Sequence, residues 1–326
     1  MPTKKKSTKV SVATVMKFVE QSAPVTASVF DKGLCFQFTF GMPGFRARVD
    51  KDQIDAGDAD KDMLSVGKKL LECDEYDAIR SLYGDIKKYL GRKAIPTTLR
   101  KSYYLIPIEI AEEAMQKMLE YETELGVRVD TFIAVYSATK ENAKKRLGKL
   151  YHEDDYPAAS ALKGSFYMEF SPSEERVPGR LEAINKKLFV KYSEDLKKKM
   201  IEAAGDIRIL LRTQLHEMTL HLKERLSGTN NKGEKKVFRQ TAIQHIMEFI
   251  ENFEPKNVTD DKDLTKVVGT LRKLMEGVDA ETLRDDEKFR ARVASDFTAV
   301  VADLDVLVTA QAARAVKLPT KKEQAA

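Results

Sequence analysis

Apolar residues recur every three or four positions along two long stretches of the chain, at about 108–150 and 181–226. In the first stretch the steps alternate between three and four, which is the period of a heptad stripe. In the second stretch most steps are four, a spacing that predicts little supercoil or a supercoil of the opposite hand. Both patterns predict long amphipathic helices. The simplest arrangement of two such helices is an antiparallel, coiled-coil-like hairpin.

The apolar stripes of these two helices are the candidate protein–protein interfaces of the chain. Because their periods differ, the two stripes do not suit a uniform two-stranded coiled coil. We therefore expect part of each stripe to be covered by C-terminal helices or by another subunit. The interface candidates are Met115, Met118, Leu125 and Phe132 on the first helix and Leu196, Met200, Ile207 and Leu211 on the second.

Period-two patterns at the start of the chain predict short strands. Residues 34–40 place phenylalanines on one face and polar residues on the other, which is typical of a half-buried strand. Residues 25–30 predict a second strand, joined to the first by a turn at Asp31, Lys32 and Gly33. A further short strand is expected at 45–49, and a helix is expected from about 63 to 90.

Two more strand-like runs, 103–106 and 166–170, flank the first long helix. A strand between two long helices needs a pairing partner, and the candidates for 166–170 are the run at 103–106 or the N-terminal hairpin. These runs predict a small α/β head attached to a helical stalk.

After the second long helix, Ser, Gly and Asn residues predict a linker at 228–233, and three helical segments follow at about 234–253, 260–276 and 285–313. These segments are enough for a small C-terminal helical bundle. The predicted fold is therefore mainly α. Its predicted divisions are a basic disordered arm (1–10), a small α/β region (11–106), the helical hairpin (107–227) with a strand insertion near 164–171, the linker (228–233), a C-terminal helical region (234–313) and a disordered tail (314–326).

The charge balance adds one candidate contact surface. The chain has 56 Lys and Arg residues against 51 Asp and Glu residues, and the two signs are interspersed along most of its length. The exception is the cluster of Lys4, Lys5, Lys6 and Lys9. This cluster is either a solvated terminus or an arm that contacts phosphates or an acidic partner.

Cysteine use and hydropathy indicate a compartment. The chain has two cysteines, Cys35 and Cys73, and it shows neither a signal-peptide pattern nor an apolar stretch long enough to span a membrane. These features predict reduced, buried thiols and a cytoplasmic location, in a bacterium or an infected cell.

No stretch of the chain has the residues of a catalytic, cofactor or metal site. The glycine-rich segment 228–233 is followed by Glu234 where a phosphate-binding loop needs lysine. His216 and His221 are five residues apart, whereas two zinc ligands on one helix face are four apart. Neither cysteine has a neighbouring histidine or a CxxC partner. We therefore predict no enzyme activity and no cofactor.

Several short stretches between residues 95 and 310 resemble a bacterial and phage domain-of-unknown-function family, numbered three-one-five-zero. The resemblance implies a partnership with a MoxR-type AAA+ ATPase or a von Willebrand A domain protein, beside which members of that family tend to be encoded. It implies no catalytic or binding residues. The stretches are 103–107 (Tyr-Tyr-Leu-Ile-Pro), 146–150 (Arg-Leu-Gly-Lys-Leu), 154–157 (Asp-Asp-Tyr-Pro) before the strand at 166–170, 237–239 (Val-Phe-Arg), 257–261 (Asn-Val-Thr-Asp-Asp) and 283–286 (Leu-Arg-Asp-Asp).

Two functions from different classes follow from these features. The first is a non-enzymatic assembly or adaptor protein that acts through its helix faces and forms a homo-oligomer or binds other proteins. The alternative is a nucleic-acid-binding accessory protein of phage or plasmid replication or recombination, which rests on the basic arm and the net charge of +5.

Overall fold

The computed structural model describes residues 27–226, 240–278 and 280–315. This part of the chain is mainly helical, with a small antiparallel sheet. The helices are α1 (Asp74–Lys93), α2 (Ile108–Leu147), α3 (Ala159–Lys163), α4 (Arg180–Ile184), α5 (Lys186–Leu226), α6 (Gln240–Lys256), α7 (Lys262–Met275), α8 (Ala280–Asp285) and α9 (Glu287–Ala315). The strands are β1 (Gly33–Gly41), β2 (Arg46–Arg48), β3 (Gly67–Lys69), β4 (Ile95–Pro96), β5 (Tyr103–Pro107) and β6 (Tyr167–Pro172).

The four-stranded sheet has the order β4-β5-β1-β6, and β1 runs antiparallel to both of its neighbours. The strands predicted from the period-two patterns at 34–40, 103–106 and 166–170 are therefore present and share one sheet. The strand predicted at 25–30 is wrong, because Ala27–Lys32 forms a 3-10 helix. Both edges of β1 are already paired with β5 and β6, so a hairpin strand preceding β1 has no edge to join.

The sheet separates two hydrophobic clusters. Side chains alternate between the faces of a strand. In β5, Leu105 accordingly packs into one cluster and Ile106 into the other, and both are fully buried. In β1, Phe36 belongs to the same cluster as Ile106, whereas Cys35 packs against the cluster of Leu105.

The N-terminal cluster is formed by the phenylalanine face of the sheet together with α1 and α2. The helix predicted for 63–90 begins later than expected, at Asp74, because residues 67–69 form β3 and pair with β2. Asp74, Glu75 and Asp77 lie in the first turn of α1, where carboxylates interact favourably with the helix dipole.

The two long helices of the chain lie close to their predicted bounds. α2 ends at Leu147, and Gly148 leaves the helix with φ of 53°. α5 begins at Lys186 rather than near 181, because Asn185 has an extended backbone and separates it from the short helix α4.

The antiparallel hairpin predicted for these two helices is not confirmed. Phe132 and the other buried residues of α2 belong to the N-terminal cluster, whereas Leu211 and the other buried residues of α5 belong to a second, C-terminal cluster. Each apolar stripe is covered by different partners: α1 and the sheet cover α2, and α6, α7 and α9 cover α5.

Helices α6 to α9 pack around the second half of α5, with α9 making the most extensive contact. The C-terminal cluster therefore includes residues on both sides of the predicted boundary at 227, and the predicted division of the chain stays a prediction. The linker at 228–233, the basic arm and the C-terminal tail lie outside the described residues.

Candidate functional site

The first half of α5 is a helical surface that the rest of the described chain leaves largely open to solvent. From residue 186 to residue 202 the helix contains no buried residue, and the short α4 before it contains none either. Burial on this helix begins at Ala203. At 1.5 Å per residue, the uncovered segment is about 25 Å long. We call residues 180–202 the arm.

The arm carries an exposed apolar stripe. Ile184 is 81% exposed, Leu188 41% and Tyr192 50%. Leu196 and Met200 continue the stripe and are partly buried. An apolar stripe on a surface helix normally faces the core of its own protein. A stripe left open to water is typical of a surface for association.

The charges of the arm are predominantly positive. Between residues 186 and 202 there are six lysines against the three carboxylates Glu194, Asp195 and Glu202. The arm therefore combines an apolar stripe with a basic surround. The lysines are Lys186, Lys187, Lys191, Lys197, Lys198 and Lys199.

The root of the arm is held by small and apolar residues packed in the C-terminal cluster. Ala203, Ala204 and Ile207 are buried there, together with Val29 and Phe30 of the 3-10 helix before β1. The small alanine side chains permit close approach of neighbouring elements at this point. The same helix thus passes from a packed half to an exposed half within one turn.

A buried polar network fixes the packed half of α5 against α7 and α9. The guanidinium of Arg212 donates to both carboxylate oxygens of Asp261, from Nε at 2.6 Å and from Nη2 at 2.9 Å, and Nη1 donates to the carbonyl of Leu307 at 3.2 Å. Asp261 also caps α7, because its side chain accepts from the backbone N–H of Leu264. Arg208 donates from Nη2 to the carbonyl of Thr259 at 2.8 Å.

The sequence predicted a helix at about 260–276, but it did not reveal the buried ion pair at the start of that helix. Arg208 and Arg212 are four residues apart on an otherwise apolar face of α5, and this interruption of the stripe is the signal that could have indicated a buried partner. Asp261 is separated from Arg212 by 49 positions, so no local pattern joins the two.

The structure divides the predicted interface residues between core and surface. Among them, only Met115, at 39% exposed, and the partly buried Leu196 and Met200 have surface to offer a partner. The others are at most 4% exposed and pack in their own clusters, because the same periodicity describes a core face. These buried residues are Met118, Leu125, Phe132, Ile207 and Leu211. The predicted contacts Lys4, Lys5, Lys6 and Lys9 lie outside the described residues.

The thiols and histidines of the described chain are not assembled into a reactive centre. Both cysteines are free, and burial raises the pKa of the Cys35 thiol to about 11, which keeps it protonated at neutral pH. The imidazole Nε2 of His216 lies 2.8 Å from a carboxylate oxygen of Asp305. Within residues 27–226, 240–278 and 280–315, no three His, Cys, Asp or Glu side chains are grouped so that they could hold a metal ion.

None of the helices described combines the length and the apolar composition that crossing a bilayer requires.

No protein-family model, no curated protein and no solved structure matches the chain. The family resemblance suggested by the short sequence stretches therefore stays an expectation.

Proposed function

We propose that this protein is a non-enzymatic assembly or adaptor protein and that the arm is the surface on which it holds a protein partner. The observation that supports this proposal is the exposed stripe of Ile184, Leu188 and Tyr192, which is continuous with a helix whose other half buries its apolar face in the C-terminal cluster. Helices that present an apolar stripe commonly bind in a groove or against another helix. The lysines around the stripe favour a partner with an acidic rim.

The partner class to test first comes from the family resemblance. It implies a MoxR-type AAA+ ATPase or a von Willebrand A domain protein, and a second copy of this chain is the competing occupant. Both would bury the same stripe. They differ in the mass of the complex, which sedimentation or mass photometry measures directly.

The proposal is tested by capture of partners from an extract of the native host, with the full chain as bait. A variant that carries Leu188→Ser, Tyr192→Ser and Leu196→Ser should lose the partner, because it removes apolar surface that would be buried only in the complex. The matched control carries Met63→Ser and Val127→Ser, which remove exposed apolar side chains elsewhere (84% and 63% exposed).

Both variants should keep the helix content of the parent protein, measured by circular dichroism. Equal retention of the ATPase or the von Willebrand A domain protein by parent, arm variant and control would argue against the arm. If the parent captures neither protein and sediments as a monomer, the adaptor proposal fails.

The alternative, nucleic-acid binding, is favoured by one feature of the same arm. Lys197, Lys198 and Lys199 are consecutive and exposed, and a basic helix of this kind can follow a phosphate backbone. A variant with all three changed to Gln should then weaken binding to a DNA duplex and reduce its salt dependence. The matched control is Lys61→Gln with Lys101→Gln, which removes exposed lysines outside the arm. Absence of DNA and RNA retention at about 50 mM salt, where phosphate-driven binding is strong, would remove this alternative.

A further inference from the structure

A cleft of about 340 Å³ lies where the C-terminal end of α1 meets α5 and α6. Its walls come from both halves of the molecule, since α1 belongs to the N-terminal cluster while α5 and α6 belong to the C-terminal one. Junctions between packed units are frequent ligand sites, and this volume lies within the range of small-molecule pockets. The cleft is separate from the arm.

The inner wall of the cleft is apolar. Leu211 is 1% exposed and Phe253 4% exposed, and Met218 and Phe249 are partly buried beside them. An apolar group that binds against this wall would be removed from contact with water. The wall therefore suits a hydrocarbon or aromatic body rather than a sugar or an inorganic ion.

Lys256, the last residue of α6, brings a cation into this apolar setting. Its side chain lines the cleft, the residue is 6% exposed, and its Nζ donates to the carbonyl oxygen of Gly91 at 3.0 Å. A lysine ammonium has three N–H donors, so two remain after this bond. Burial lowers the pKa of Lys256 to about 8, because the charged form loses its hydration.

The other charges of the cleft are balanced by nearby partners. On α1, Arg92 lies 3.7 Å from Glu248 of α6, and Lys88 lies 3.2 Å from Asp85. His245 on α6 completes the titratable groups of the lining, and the section of α5 in the cleft contributes Leu211, Gln214 and Met218. Among the described residues that line the cleft, Lys256 is thus the buried cation that forms no salt bridge, and it shares the lining with the apolar wall.

We propose that this cleft binds a small amphipathic carboxylate, with its head group on Nζ of Lys256 and its apolar body along Leu211, Met218 and Phe249. A single negative charge matches the single ammonium. A doubly charged phosphate would bring an excess charge next to the Gly91 carbonyl. Binding would give the buried ammonium a carboxylate counter-ion. A hydrogen bond between two charged groups is stronger than one between neutral groups.

The proposal is tested by calorimetric titration of the full chain with octanoate, with octan-1-ol and octyl phosphate as comparison probes. Octanoate should bind saturably and more tightly than either. Lys256→Met, which keeps the length of the side chain and removes the charge, should weaken octanoate binding by about tenfold or more. The matched control Lys266→Met removes a lysine that is 79% exposed and does not line the cleft, and it should bind like the parent. Equal affinity for octanoate and octan-1-ol would overturn the proposal, and so would unchanged affinity in Lys256→Met.

A second measurement uses the parent protein and does not depend on the folding of a variant. An amine-acylating reagent is applied at pH 8, and the modification of Lys256 and of Lys266, which lies outside the cleft lining, is followed by mass spectrometry with and without octanoate. Octanoate should slow acylation of Lys256 and leave Lys266 unaffected. If octanoate leaves both rates unchanged, no head group sits on Nζ of Lys256 and the proposal is overturned. Neither measurement involves the arm, so the outcome is independent of the adaptor proposal.

Discussion

Arg212 and Asp261 form an ion pair whose side chains are only 1% and 2% exposed. The desolvation of two charges is expensive, and two N–H···O bonds together with the Leu307 carbonyl and the α7 cap offset that cost. The main effect of the pair is therefore to fix where α5, α7 and α9 meet, rather than to add net stability. Removal of one partner would leave the other charged and without its counter-ion in the core.

Arg212→Met should therefore lower the free energy of unfolding by about 3–5 kcal/mol, since Asp261 becomes an uncompensated buried carboxylate. The measurement is urea denaturation followed by circular dichroism. The control Lys266→Met breaks a pair with Asp263 at 3.4 Å in which the lysine side chain is 79% exposed, and it should change stability by less than about 1 kcal/mol. Similar losses in the two variants would mean that the buried pair is not coupled to the fold.

Because Lys256 is buried, we expect the free energy of unfolding to depend on pH. The pKa of Lys256 is about 8 in the folded chain, against a reference value of 10.5. Below pH 8 both states carry the charge and the cost of burying it is constant. Between pH 8 and 10.5 the unfolded chain binds more protons, so the contribution of this group to the free energy of unfolding rises with pH. The total rise is about 3 kcal/mol.

This prediction is checked by urea denaturation of the parent protein and of Lys256→Met at several pH values. The quantity compared is the free energy of unfolding of the parent minus that of the variant. This difference should move in favour of the parent as pH increases above 8, whereas the contributions of Cys35 and the buried tyrosines cancel. Parallel pH profiles for the two proteins would show that Lys256 titrates normally.

At the scale of the element, α5 is one helix with two environments. Its second half is covered by α6, α7 and α9, and its first half is the uncovered arm. Leucines on the two halves are chemically identical, so they allow a direct comparison within one helix.

Leu211→Ala should destabilise the protein by about 2–5 kcal/mol, because Leu211 is 1% exposed and its truncation leaves a cavity. Leu188→Ala, at a position 41% exposed, should change stability by about 0.5 kcal/mol or less. Urea denaturation of both variants checks the prediction. A large loss in Leu188→Ala would show that the arm is already covered within the isolated protein.

At the scale of the whole molecule, the two clusters are joined by the sheet between them. Leu105 and Ile106 are neighbours in β5 and serve opposite clusters, so melting of one cluster exposes a strand on which the other depends. The contact of α1 with α6 adds a second connection.

We therefore expect the two clusters to unfold together. All 11 tyrosines of the chain lie between residues 76 and 192, and the chain has no tryptophan. Eight of them lie in the N-terminal cluster or pack against it, so tyrosine fluorescence reports mainly on that cluster, while far-ultraviolet circular dichroism reports on all helices. The two signals should give the same urea midpoint. Separate midpoints would show that the clusters are independent domains.

The sequence by itself determined the local features of this protein. The bounds of α2, the end of α5, the alternation in β1 and the bounds of α7 follow from hydrophobic period and from turn and helix-end signals, which act over a few positions. Period also identified the stripe to which Leu196 and Met200 of the arm belong.

Only the tertiary structure decided what covers each apolar face. A stripe indicates that a face avoids water, but it does not name the partner, so the hairpin and a pair of separate clusters were equally compatible with it. For the same reason the pattern could not distinguish the exposed Leu188 from the buried Leu211 on one helix. The Arg212–Asp261 pair and the cleft at Lys256 join residues far apart in the chain, and such contacts are set by packing rather than by sequence spacing.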